Sequence, residues 1–425
     1  MTLLIKNGIV VDPVSKTETC QDIFIENERI AKMGEGLDLQ ADQVIDAAGN
    51  YVMPGFVDLH VHLRDPGLTY KEDIATGTAA AAAGGFTTIV AMPNTKPVSD
   101  SPEVIQYVTE KAKEVSRVNV YQVGSVTVGM AGQEMSDIEG MYEAGCIAIS
   151  EDGKSVMNAQ LYKEAMAVAA KNDMIVLAHC EDINMVNGGV LNADAHTSGL
   201  GFKGITNAVE DVIVARDIVL AKETGARLHL CHCSTKDSVE MVRLAKEAGL
   251  PVSAEVCPHH FTSCSEDITG DDANFKMNPP LRTREDMEAL REGLAKGILD
   301  VIATDHAPHS AEEKAQSITK APFGIVGLET ALALSYSELV KTGLISMADM
   351  AAKLSYNPAK ILGIDRGVLA EGKVADLVIV NTTEEYAIDV DKFLSKGKNT
   401  PYHGRKVYGK VLMTVIGGEV AYENK

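Results

Sequence analysis

The most informative segment of the sequence is Pro54-Gly55-Phe56-Val57-Asp58-Leu59-His60-Val61-His62-Leu63-Arg64-Asp65-Pro66-Gly67. Side chains of a β-strand alternate between its two faces, so Asp58, His60 and His62 share one face and the aliphatic residues between them share the other. Two imidazoles on one face at the end of a strand are typical of a metal site. The same spacing also fits a solvated strand that contains histidine by chance, so this segment alone leaves both interpretations open.

Short apolar runs and helical patterns alternate through the middle of the chain. After the opening strand, further strands are predicted at residues 87–92, 118–126, 146–150, 174–178, 227–231, 252–256 and 299–303. Helical patterns separate the strands, among them those at residues 161–171, 208–224, 238–248 and 284–296. These βα units predict an α/β fold with a (β/α)8 TIM-like barrel, and a doubly wound open sheet is the alternative that alternation does not exclude.

The two ends of the chain have a different pattern. Residues 1–51 contain short apolar bursts separated by turn residues, and similar bursts occur at residues 375–380 and 411–420. Neither end has enough strands to close a core alone. We therefore expect residues 1–51 and 366–425 to pair into one small β-sandwich, with residues 52–365 forming the barrel between them.

Polar side chains cluster where the predicted strands end. The C-terminal ends of barrel strands meet at one rim, where barrel enzymes build their sites. Each polar residue alone fits a satisfied hydrogen-bonding group, but their shared position favours a common site. The residues at this rim are His60, His62, Asn94, Glu151, Asp152, His179, His232, His259, His260, Asp305 and His306.

Six members of this rim have side chains suited to metal binding. They are His60, His62, Asp152, His179, His232 and Asp305. One tetrahedral ion needs fewer ligands, so two ions that share a carboxylate are expected. Nitrogen-rich ligands favour zinc, although manganese, cobalt and iron also fit the ligand types. Water on zinc ionises near neutral pH, which predicts hydrolysis as the reaction class.

Longer motifs extend this pattern. Two of them are the segment at residues 54–67 and Ala303-Thr304-Asp305-His306-Ala307-Pro308-His309, which resemble the amidohydrolase superfamily. Three more resemble the type I dihydroorotases of pyrimidine synthesis: residues 62–67, Met92-Pro93-Asn94-Thr95 and Met277-Asn278-Pro279-Pro280-Leu281-Arg282. The resemblance covers essentially the whole chain.

This resemblance implies a reversible, zinc-dependent interconversion of N-carbamoyl-L-aspartate and dihydroorotate. The six ligands would hold two zinc ions bridged by Asp152, and Asp305 would be the catalytic residue that moves a proton from water to the ring nitrogen. Arg64, Asn94 and His309 would hold the substrate carboxylate, for which the planar fork of arginine is well shaped. The full set implied to contact substrate is His62, Leu63, Arg64, Asn94, Asn278, His309, Phe323 and Gly324.

Several assignments at this rim have alternatives or separate expectations. Many superfamily relatives bridge their metals with a carbamylated lysine, but residues 145–153 contain none, so Asp152 or Glu151 would take that place. Arg64 equally fits an ion pair with a carboxylate at the rim. Asp58 is expected to form buried hydrogen bonds. Residues 310–321 are polar and are expected to form a mobile lid over the substrate.

Composition excludes several classes of partner. The 425 residues include 60 acidic and 39 basic ones, a net charge of -21, so neither nucleic acid nor a membrane is expected as a partner. The sequence opens without a leader-like segment, and its seven cysteines lack the density of a disulfide framework, so a cytoplasmic protein with reduced thiols is expected. A homodimer is expected because two-fold dimers are the commonest oligomers.

Rival functions fit part of the same pattern. Hydantoinase and allantoinase share the barrel, the metals and the amide chemistry, but their substrates lack the carboxylate that Arg64 and Asn94 would bind. A catalytically inactive scaffold that binds a pathway partner such as aspartate transcarbamoylase is the other alternative. The presence of all six candidate ligands argues against it, while an association with aspartate transcarbamoylase is compatible with an active enzyme.

Overall fold

The computed structural model describes residues 2–424, and strands and helices alternate through its middle. The strands are β1 (Thr2–Asp12), β2 (Thr17–Glu26), β3 (Arg29–Gly34), β4 (Gln43–Asp46), β5 (Tyr51–Pro54), β6 (Phe56–Val61), β7 (Phe86–Ala91), β8 (Asn119–Gln122), β9 (Gly124–Ser125), β10 (Ala148–Ser150), β11 (Ile175–Ala178), β12 (Leu191–Asn192), β13 (Gly204–Ile205), β14 (Arg227–Leu230), β15 (Val252–Val256), β16 (Val301–Ile302), β17 (Leu377–Asn381), β18 (Tyr386–Ala387), β19 (Lys406–Val407), β20 (Lys410–Ile416) and β21 (Glu419–Glu423). The α-helices are α1 (Ile74–Ala83), α2 (Pro102–Val115), α3 (Ile138–Glu143), α4 (Ala159–Lys171), α5 (Ala195–Gly199), α6 (Ala208–Thr224), α7 (Lys236–Glu247), α8 (Pro258–Thr262), α9 (Arg284–Ala295), α10 (Ala311–Lys314), α11 (Ala331–Ser335), α12 (Met347–Ala351) and α13 (Asn357–Leu362).

Parallel pairing organises the middle of the chain. The strands form two sheets, with the orders β6-β7-β8 and β9-β10-β11-β14-β15-β16. Val123, between β8 and β9, donates its N–H to the Ala91 carbonyl at 2.9 Å, and the N–H of His62 donates to the His306 carbonyl at 2.9 Å. The second bond joins the segment after β6 to the segment after β16. The predicted α/β class is confirmed. The carboxyl ends of β6 and β16, the first and last strands of the two parallel sheets, lie side by side.

The two ends of the chain meet in one sheet. Its strand order is β21-β20-β17-β5-β1-β2-β3, and β4 pairs with β1. The join between the ends is the antiparallel pair of β17 and β5, in which Leu377 faces Pro54. Aliphatic side chains from both ends, such as Ile5 and Val415, share one buried cluster. Strands from the two ends of the chain therefore pair within one sheet, and the β-sandwich expected from the sequence stays a prediction.

A glycine connects this terminal sheet to the parallel strands. Gly55 lies between β5 and β6, and its N–H donates to the Asp376 carbonyl at 2.9 Å. A Cβ atom at Gly55 would lie 2.2 Å from Cγ2 of Thr87 on the neighbouring strand β7. Only glycine allows this close approach of backbone to side chain. This close approach brings the start of β6 against β7 where the chain leaves the terminal sheet.

The predicted helices match those of the structure closely. Helix α6 has the predicted bounds, and α4, α7 and α9 begin within two residues of the predicted starts. Helix α9 begins with a capping box, in which the Thr283 hydroxyl and the Asp286 carboxylate satisfy each other's backbone N–H groups. None of the helices within residues 2–424 has both the length and the apolar character needed to cross a bilayer.

Candidate active site

Asp152 lies at the centre of a cluster of imidazoles after the carboxyl ends of the parallel strands. Its Oδ1 atom lies 3.1 Å from His60 Nε2, 3.5 Å from His179 Nδ1 and 3.8 Å from His232 Nε2. Its Oδ2 atom lies 3.4 Å from His62 Nε2. The four predicted imidazoles and this carboxylate therefore converge, although the segments that carry them are far apart in the sequence.

Asp305 completes the cluster from the segment after β16. Its Oδ1 atom lies 3.0 Å from His62 Nε2 and 3.5 Å from His60 Nε2. Asp305, His232 and Arg64 have positive φ angles of 46°, 34° and 60°. Such conformations cost about 1–3 kcal/mol for residues other than glycine and recur at functional sites. The backbone is thus held in unusual conformations where these side chains turn toward the cluster.

The donor set fits a divalent metal. His60 Nε2 and Asp152 Oδ1 are buried and 3.1 Å apart, yet neither has a hydrogen-bond partner among residues 2–424. Two overlapping groups have ligand atoms within 4.8 Å of one another: His60, His62 and Asp305, and His60, Asp152 and His232. Buried polar atoms without partners are costly, and a cation between imidazole and carboxylate atoms removes that cost.

The structure distinguishes Asp152 from Glu151. The Glu151 carboxylate turns away from the imidazoles, and it accepts hydrogen bonds from the backbone N–H of Thr127 at 3.0 Å and from the Thr127 hydroxyl. The neighbouring Asp152 side chain points into the cluster instead. Of the two carboxylates that the sequence left open, Asp152 is the one that lies among the imidazoles.

The electrostatics of the cluster keep both of its carboxylates ionised. Burial alone would raise the pKa of Asp152 and of Asp305. The positive charge of His60 outweighs burial and holds both pKa values below the ordinary range, and His62, 3.0 Å from Asp305 Oδ1, lowers the pKa of Asp305 further. Both side chains are therefore present as carboxylates at neutral pH.

Glu255 on β15 supports the cluster, and the sequence analysis did not identify it. This fully buried carboxylate lies 3.1 Å from His60 Nδ1 and 3.0 Å from His229 Nε2, and it accepts the N–H of His232 at 3.2 Å. Hydrogen bonding at Nδ1 leaves Nε2 of His60 facing Asp152. The sequence did contain a clue to this role. A glutamate within the apolar run Val252–Val256 is expected to be buried, and a buried carboxylate requires hydrogen-bond partners.

Asp58 has the role expected from the sequence. It is fully buried, and its Oδ1 atom accepts the N–H groups of His60 and Thr304, each at 3.1 Å. Its Oδ2 atom accepts the Thr304 hydroxyl at 2.6 Å. Burial raises the pKa of Asp58 to about 7. The side chain thereby fastens β6 to the segment that leads into Asp305.

A cavity of about 190 Å³ opens over the cluster. His60 lies beneath this cavity and is fully buried, and the Leu63 side chain is buried in the main hydrophobic core. The lining also includes Gly153 and Ala307, which the sequence analysis did not single out. The residues around the cavity are His62, Arg64, Asn94, Asp152, Gly153, His179, His232, Asn278, Asp305, Ala307, His309, Phe323 and Gly324.

Arg64 reaches the cavity with its charge uncompensated by a direct ion pair. Its Nε donates to the Pro308 carbonyl at 3.3 Å, and no carboxylate within residues 2–424 forms a salt bridge with its guanidinium. The alternative that Arg64 pairs with a carboxylate at the rim therefore lacks support. A guanidinium in a cavity is suited to a carboxylate ligand.

Two asparagines connect the cluster to the cavity wall. Asn94 Oδ1 lies 2.9 Å from His62 Nδ1, and its Nδ2 donates to Asp152 Oδ2 at 3.1 Å. Asn278 donates to the carboxylate of Glu181, which lies 3.4 Å from His179 Nε2. Asn94 thus also orients two of the candidate ligands, in addition to its predicted place in the cavity.

His309 lies at the opposite wall of the cavity and is also tied into its surroundings. Its Nε2–H donates to the Phe323 carbonyl at 2.8 Å, and its Nδ1 accepts from Lys71 Nζ at 3.2 Å. Burial and the positive charges of Arg64 and Lys71 lower its pKa, so the ring is neutral. His309 brings the Phe323–Gly324 peptide to the cavity.

Comparison with known sequences assigns the chain to a family. The sequence profile described as Dihydro-orotase-like matches residues 49–238. A dihydroorotase of Acetivibrio thermocellus is 46% identical over 423 residues, covering 100% of this chain and 99% of that protein. A dihydroorotase of Caldanaerobacter subterraneus subsp. tengcongensis is 48% identical over 423 residues, covering 100% of this chain and 98% of that protein.

Solved structures with a similar fold include hydantoinases and dihydropyrimidinases. L-Hydantoinase (dihydropyrimidinase) from Arthrobacter aurescens has a TM-score of 0.89 at 26% identity, covering 99% of this chain and 96% of that chain. A dihydropyrimidinase from Brevibacillus agri has a TM-score of 0.86 at 25% identity, and the match covers 100% of this chain and 96% of that chain. The fold is thus shared with hydantoinases, while the whole-length sequence identity is to dihydroorotases. The chain belongs to the dihydroorotase family.

Proposed function

We propose that this protein is a dihydroorotase, which interconverts N-carbamoyl-L-aspartate and dihydroorotate with exchange of one water molecule in pyrimidine biosynthesis. The observation that carries the proposal is the presence, in one cavity, of an imidazole–carboxylate cluster and the Arg64 guanidinium. The first is suited to hydrolysis of an amide, and the second to recognition of the carboxylate that both compounds carry. The strong identity to dihydroorotases over the whole chain supports the same assignment.

The framework that we propose is a (β/α)8 barrel of residues 52–365 flanked by a β-sandwich of residues 1–51 and 366–425. Parallel pairing within the two central sheets supports the barrel, as does the hydrogen bond from His62 to His306 between the first and last strands. The sheet that joins β5 to β17 supports a terminal domain built from both ends of the chain. The site then lies at the carboxyl ends of the barrel strands, as is usual for this fold.

The proposed cofactor is a pair of zinc ions. His60, His62, Asp152, His179, His232 and Asp305 would hold them, with Asp152 shared between the two. The orphaned atoms of His60 and Asp152 and the two overlapping ligand groups support this assignment. Bound zinc supplies Lewis-acid chemistry, because it polarises an amide carbonyl and brings the pKa of water to about 7.

Asp305 is the proposed catalytic residue. Its carboxylate is ionised at neutral pH and lies at the cavity, so it is able to accept the proton of the attacking water. In the direction of hydrolysis the proton then passes to the ring nitrogen as the C–N bond breaks. In the direction of ring closure Asp305 accepts the proton of the carbamoyl nitrogen as the C–N bond forms, and it passes this proton to the oxygen that leaves the substrate carboxyl group as water. A carboxylate held among imidazoles suits this role because it is anchored and returns to the ionised form.

The proposed substrate contacts are His62, Leu63, Arg64, Asn94, Asn278, His309, Phe323 and Gly324. Arg64, Asn94 and His309 would hold the carboxylate, and Asn278 and the Phe323–Gly324 backbone would hold the ring. The Leu63 side chain is buried in the core, so a contact from this residue would use its backbone. The Gly324 N–H donates to the Lys276 carbonyl at 2.9 Å and the Phe323 carbonyl accepts from His309 at 2.8 Å, so a contact with the ring would use the second lone pair of the Phe323 carbonyl.

The decisive experiment measures hydrolysis of dihydroorotate and closure of N-carbamoyl-L-aspartate by purified protein, together with its metal content. Hydantoin, dihydrouracil and allantoin are assayed in parallel, because the solved structures with a similar fold include hydantoinases. We expect turnover of the two carboxylate-bearing compounds and little or none of the others. Preferential turnover of hydantoin or allantoin would contradict the proposal, as would inactivity of the metal-loaded protein.

Location and assembly remain predictions. Six of the seven cysteines are buried and none forms a disulfide, which supports a reducing compartment such as the cytoplasm. A homodimer is proposed because two-fold dimers are the commonest oligomers, and an association with aspartate transcarbamoylase is proposed on the resemblance alone. Sedimentation of the purified protein, with and without that partner, tests both.

A further inference from the structure

The C-terminal segment of the chain reaches the cavity wall through one side chain, Asn399. This residue is 3% exposed and lies between β18 and β19. Its Nδ2 donates to the carbonyl oxygens of Ala307 and Gly324, each at 3.0 Å, and its Oδ1 accepts the N–H of His309 at 3.0 Å. One amide therefore ties together two separate segments that line the cavity.

Lys314 at the end of α10 binds the same Gly324 carbonyl from another direction. Its buried ammonium donates to the carbonyl oxygens of Gly324 at 2.9 Å, Lys276 at 3.1 Å and Pro322 at 3.2 Å. Within residues 2–424 no carboxylate forms a salt bridge with it. Burying an ammonium without a counter-ion is costly, and three carbonyl oxygens offset part of that cost.

Both side chains thus converge on the carbonyl oxygen of Gly324. The Gly324 N–H is also occupied, by the carbonyl of Lys276 at 2.9 Å. The peptide packs tightly against its neighbours, because a Cβ atom at Gly324 would lie 2.8 Å from the His309 ring. With every polar group of Gly324 bound to protein, the Phe323–Gly324 peptide is fixed relative to His309 and the cavity.

We propose that Asn399 and Lys314 are positioning residues, which hold Gly324 and His309 in place for substrate binding. The proposal rests on the proposed dihydroorotase function, since Gly324 and His309 matter here as substrate contacts. Neither Asn399 nor Lys314 lines the cavity, so both act through the groups that they hold. Both side chains bind backbone groups at the cavity wall and do not contact the imidazole cluster. We therefore expect them to affect substrate binding more than the rate of the chemical step.

The test compares steady-state kinetics of the full-length, metal-loaded protein with those of N399A, N399S and K314M. Losing a buried hydrogen bond that positions a binding group costs about tenfold in affinity, so we expect KM for dihydroorotate to rise about tenfold in each variant with kcat within about threefold. Metal content is expected to stay at the level of the parent chain. Because both residues act on one carbonyl, the double variant N399A/K314M is expected to lose less in kcat/KM than the product of the single losses.

Two matched control variants separate positioning from general stability. Asn357 donates to the Asp300 carbonyl at 2.8 Å, and the buried Lys353 donates to the Leu299 carbonyl at 2.8 Å, both outside the cavity. N357A and K353M remove the same kinds of bond, and we expect them to lower the unfolding temperature with KM unchanged.

The outcomes are distinguishable. A KM within twofold of the parent in folded K314M and in either folded Asn399 variant would overturn the positioning role and leave the proposed function standing. An equal rise of KM in N357A and K353M would also overturn it, since the effect would then be general destabilisation. If N399A fails to fold, N399S and K314M decide the question. No turnover of dihydroorotate by the parent chain would overturn both the proposed function and this inference.

Discussion

Glu255 determines how His60 presents its ring to the cluster. The carboxylate faces three hydrogen-bond donors, from the rings of His60 and His229 and the backbone of His232. In the variant E255Q, an amide NH2 group replaces one carboxylate oxygen and opposes one of these donors. Hydrogen-bond partners of metal-bound histidines are typically worth about 10–100-fold in metal affinity, and we expect a loss in this range. Competition with a chelator of known affinity measures it.

A matched control for E255Q is E210Q. Glu210 is 2% exposed and accepts the Ser234 N–H at 2.9 Å, so it is also a buried glutamate on a backbone donor, but it does not face an imidazole of the cluster. We expect E210Q to keep metal affinity within about twofold of the parent. Equal losses in both variants would mean that Glu255 acts through general stability.

Arg64 is predicted to set the preference for a carboxylate-bearing substrate. In R64K the planar fork is replaced by a single ammonium group, which loses bidentate contact with a carboxylate. We expect KM for dihydroorotate to rise about 10–100-fold, as for loss of a charge-assisted pair, with metal content unchanged. R291K serves as the control, because Arg291 pairs with Glu338 outside the cavity. An unchanged KM in R64K would exclude Arg64 from substrate binding.

Single residues differed in how well they could be predicted from the sequence. Four histidines and Asp305 were identifiable because each follows a predicted strand at the same edge. The choice between Asp152 and Glu151 was not, since both follow β10 and only the hydrogen bonds of Thr127 show which one turns away. Asn399 gave no signal at all, because a lone asparagine far along the chain belongs to no pattern.

At the scale of elements, the segment between β16 and α11 forms much of the cavity wall. The polar residues 310–321 were expected to form a mobile lid, and their movement over the substrate stays a prediction. In the structure this segment is anchored, because Lys314 and Ile318 are buried and the Ile318 N–H donates to Asp271 at 2.6 Å. Periodicity located the strands and helices well, but it does not reveal which residues of a polar loop point inward.

The tight packing of this segment predicts the effect of a single methyl group. A Cβ atom at Gly324 would lie 2.6 Å from the Ala307 carbonyl oxygen, and φ of Gly324 is +149°. The contact is with backbone, so side-chain rotation cannot relieve it. We expect G324A to lose about 100-fold in kcat/KM, since displacement of binding groups by about 1 Å has effects of this size. Dihydroorotate hydrolysis measures the loss.

The control for G324A is G343A. Gly343 also has a positive φ, of +79°, but a Cβ atom there would meet nothing within 4 Å. This variant reports the conformational cost of alanine alone, which we expect to appear as a lower unfolding temperature with activity unchanged. Activity of G324A equal to that of G343A would show that the Phe323–Gly324 peptide is free to adjust.

At the scale of the whole molecule, the charge of the protein and that of the proposed substrate have the same sign. The net charge of -21 would repel an anion at long range, but this repulsion is screened by salt beyond about 8–10 Å at physiological ionic strength. Inside the cavity, Arg64 and two bound dications would outweigh Asp152 and Asp305 locally. The sequence supplies the overall charge, and the folded arrangement brings Arg64 and the candidate metal ligands to one cavity, where bound dications would reverse the local sign.

Metal binding also links distant parts of the chain, which predicts a change in global stability. The candidate ligands lie in or directly after β6, β10, β11, β14 and β16, so bound ions would join five strands that the unfolded chain holds far apart. A ligand that binds only the folded state stabilises it by about 2.7 kcal/mol at 100 times its Kd. We expect chelation to lower the unfolding temperature by several degrees and added zinc to restore it, as measured by scanning calorimetry.

In D152A, which lacks the shared carboxylate, the chelator should have a much smaller effect. An unfolding temperature of the parent chain that is the same with and without chelator would contradict metal binding at this cluster, because ions held by five strands must contribute to the stability of the fold that assembles them.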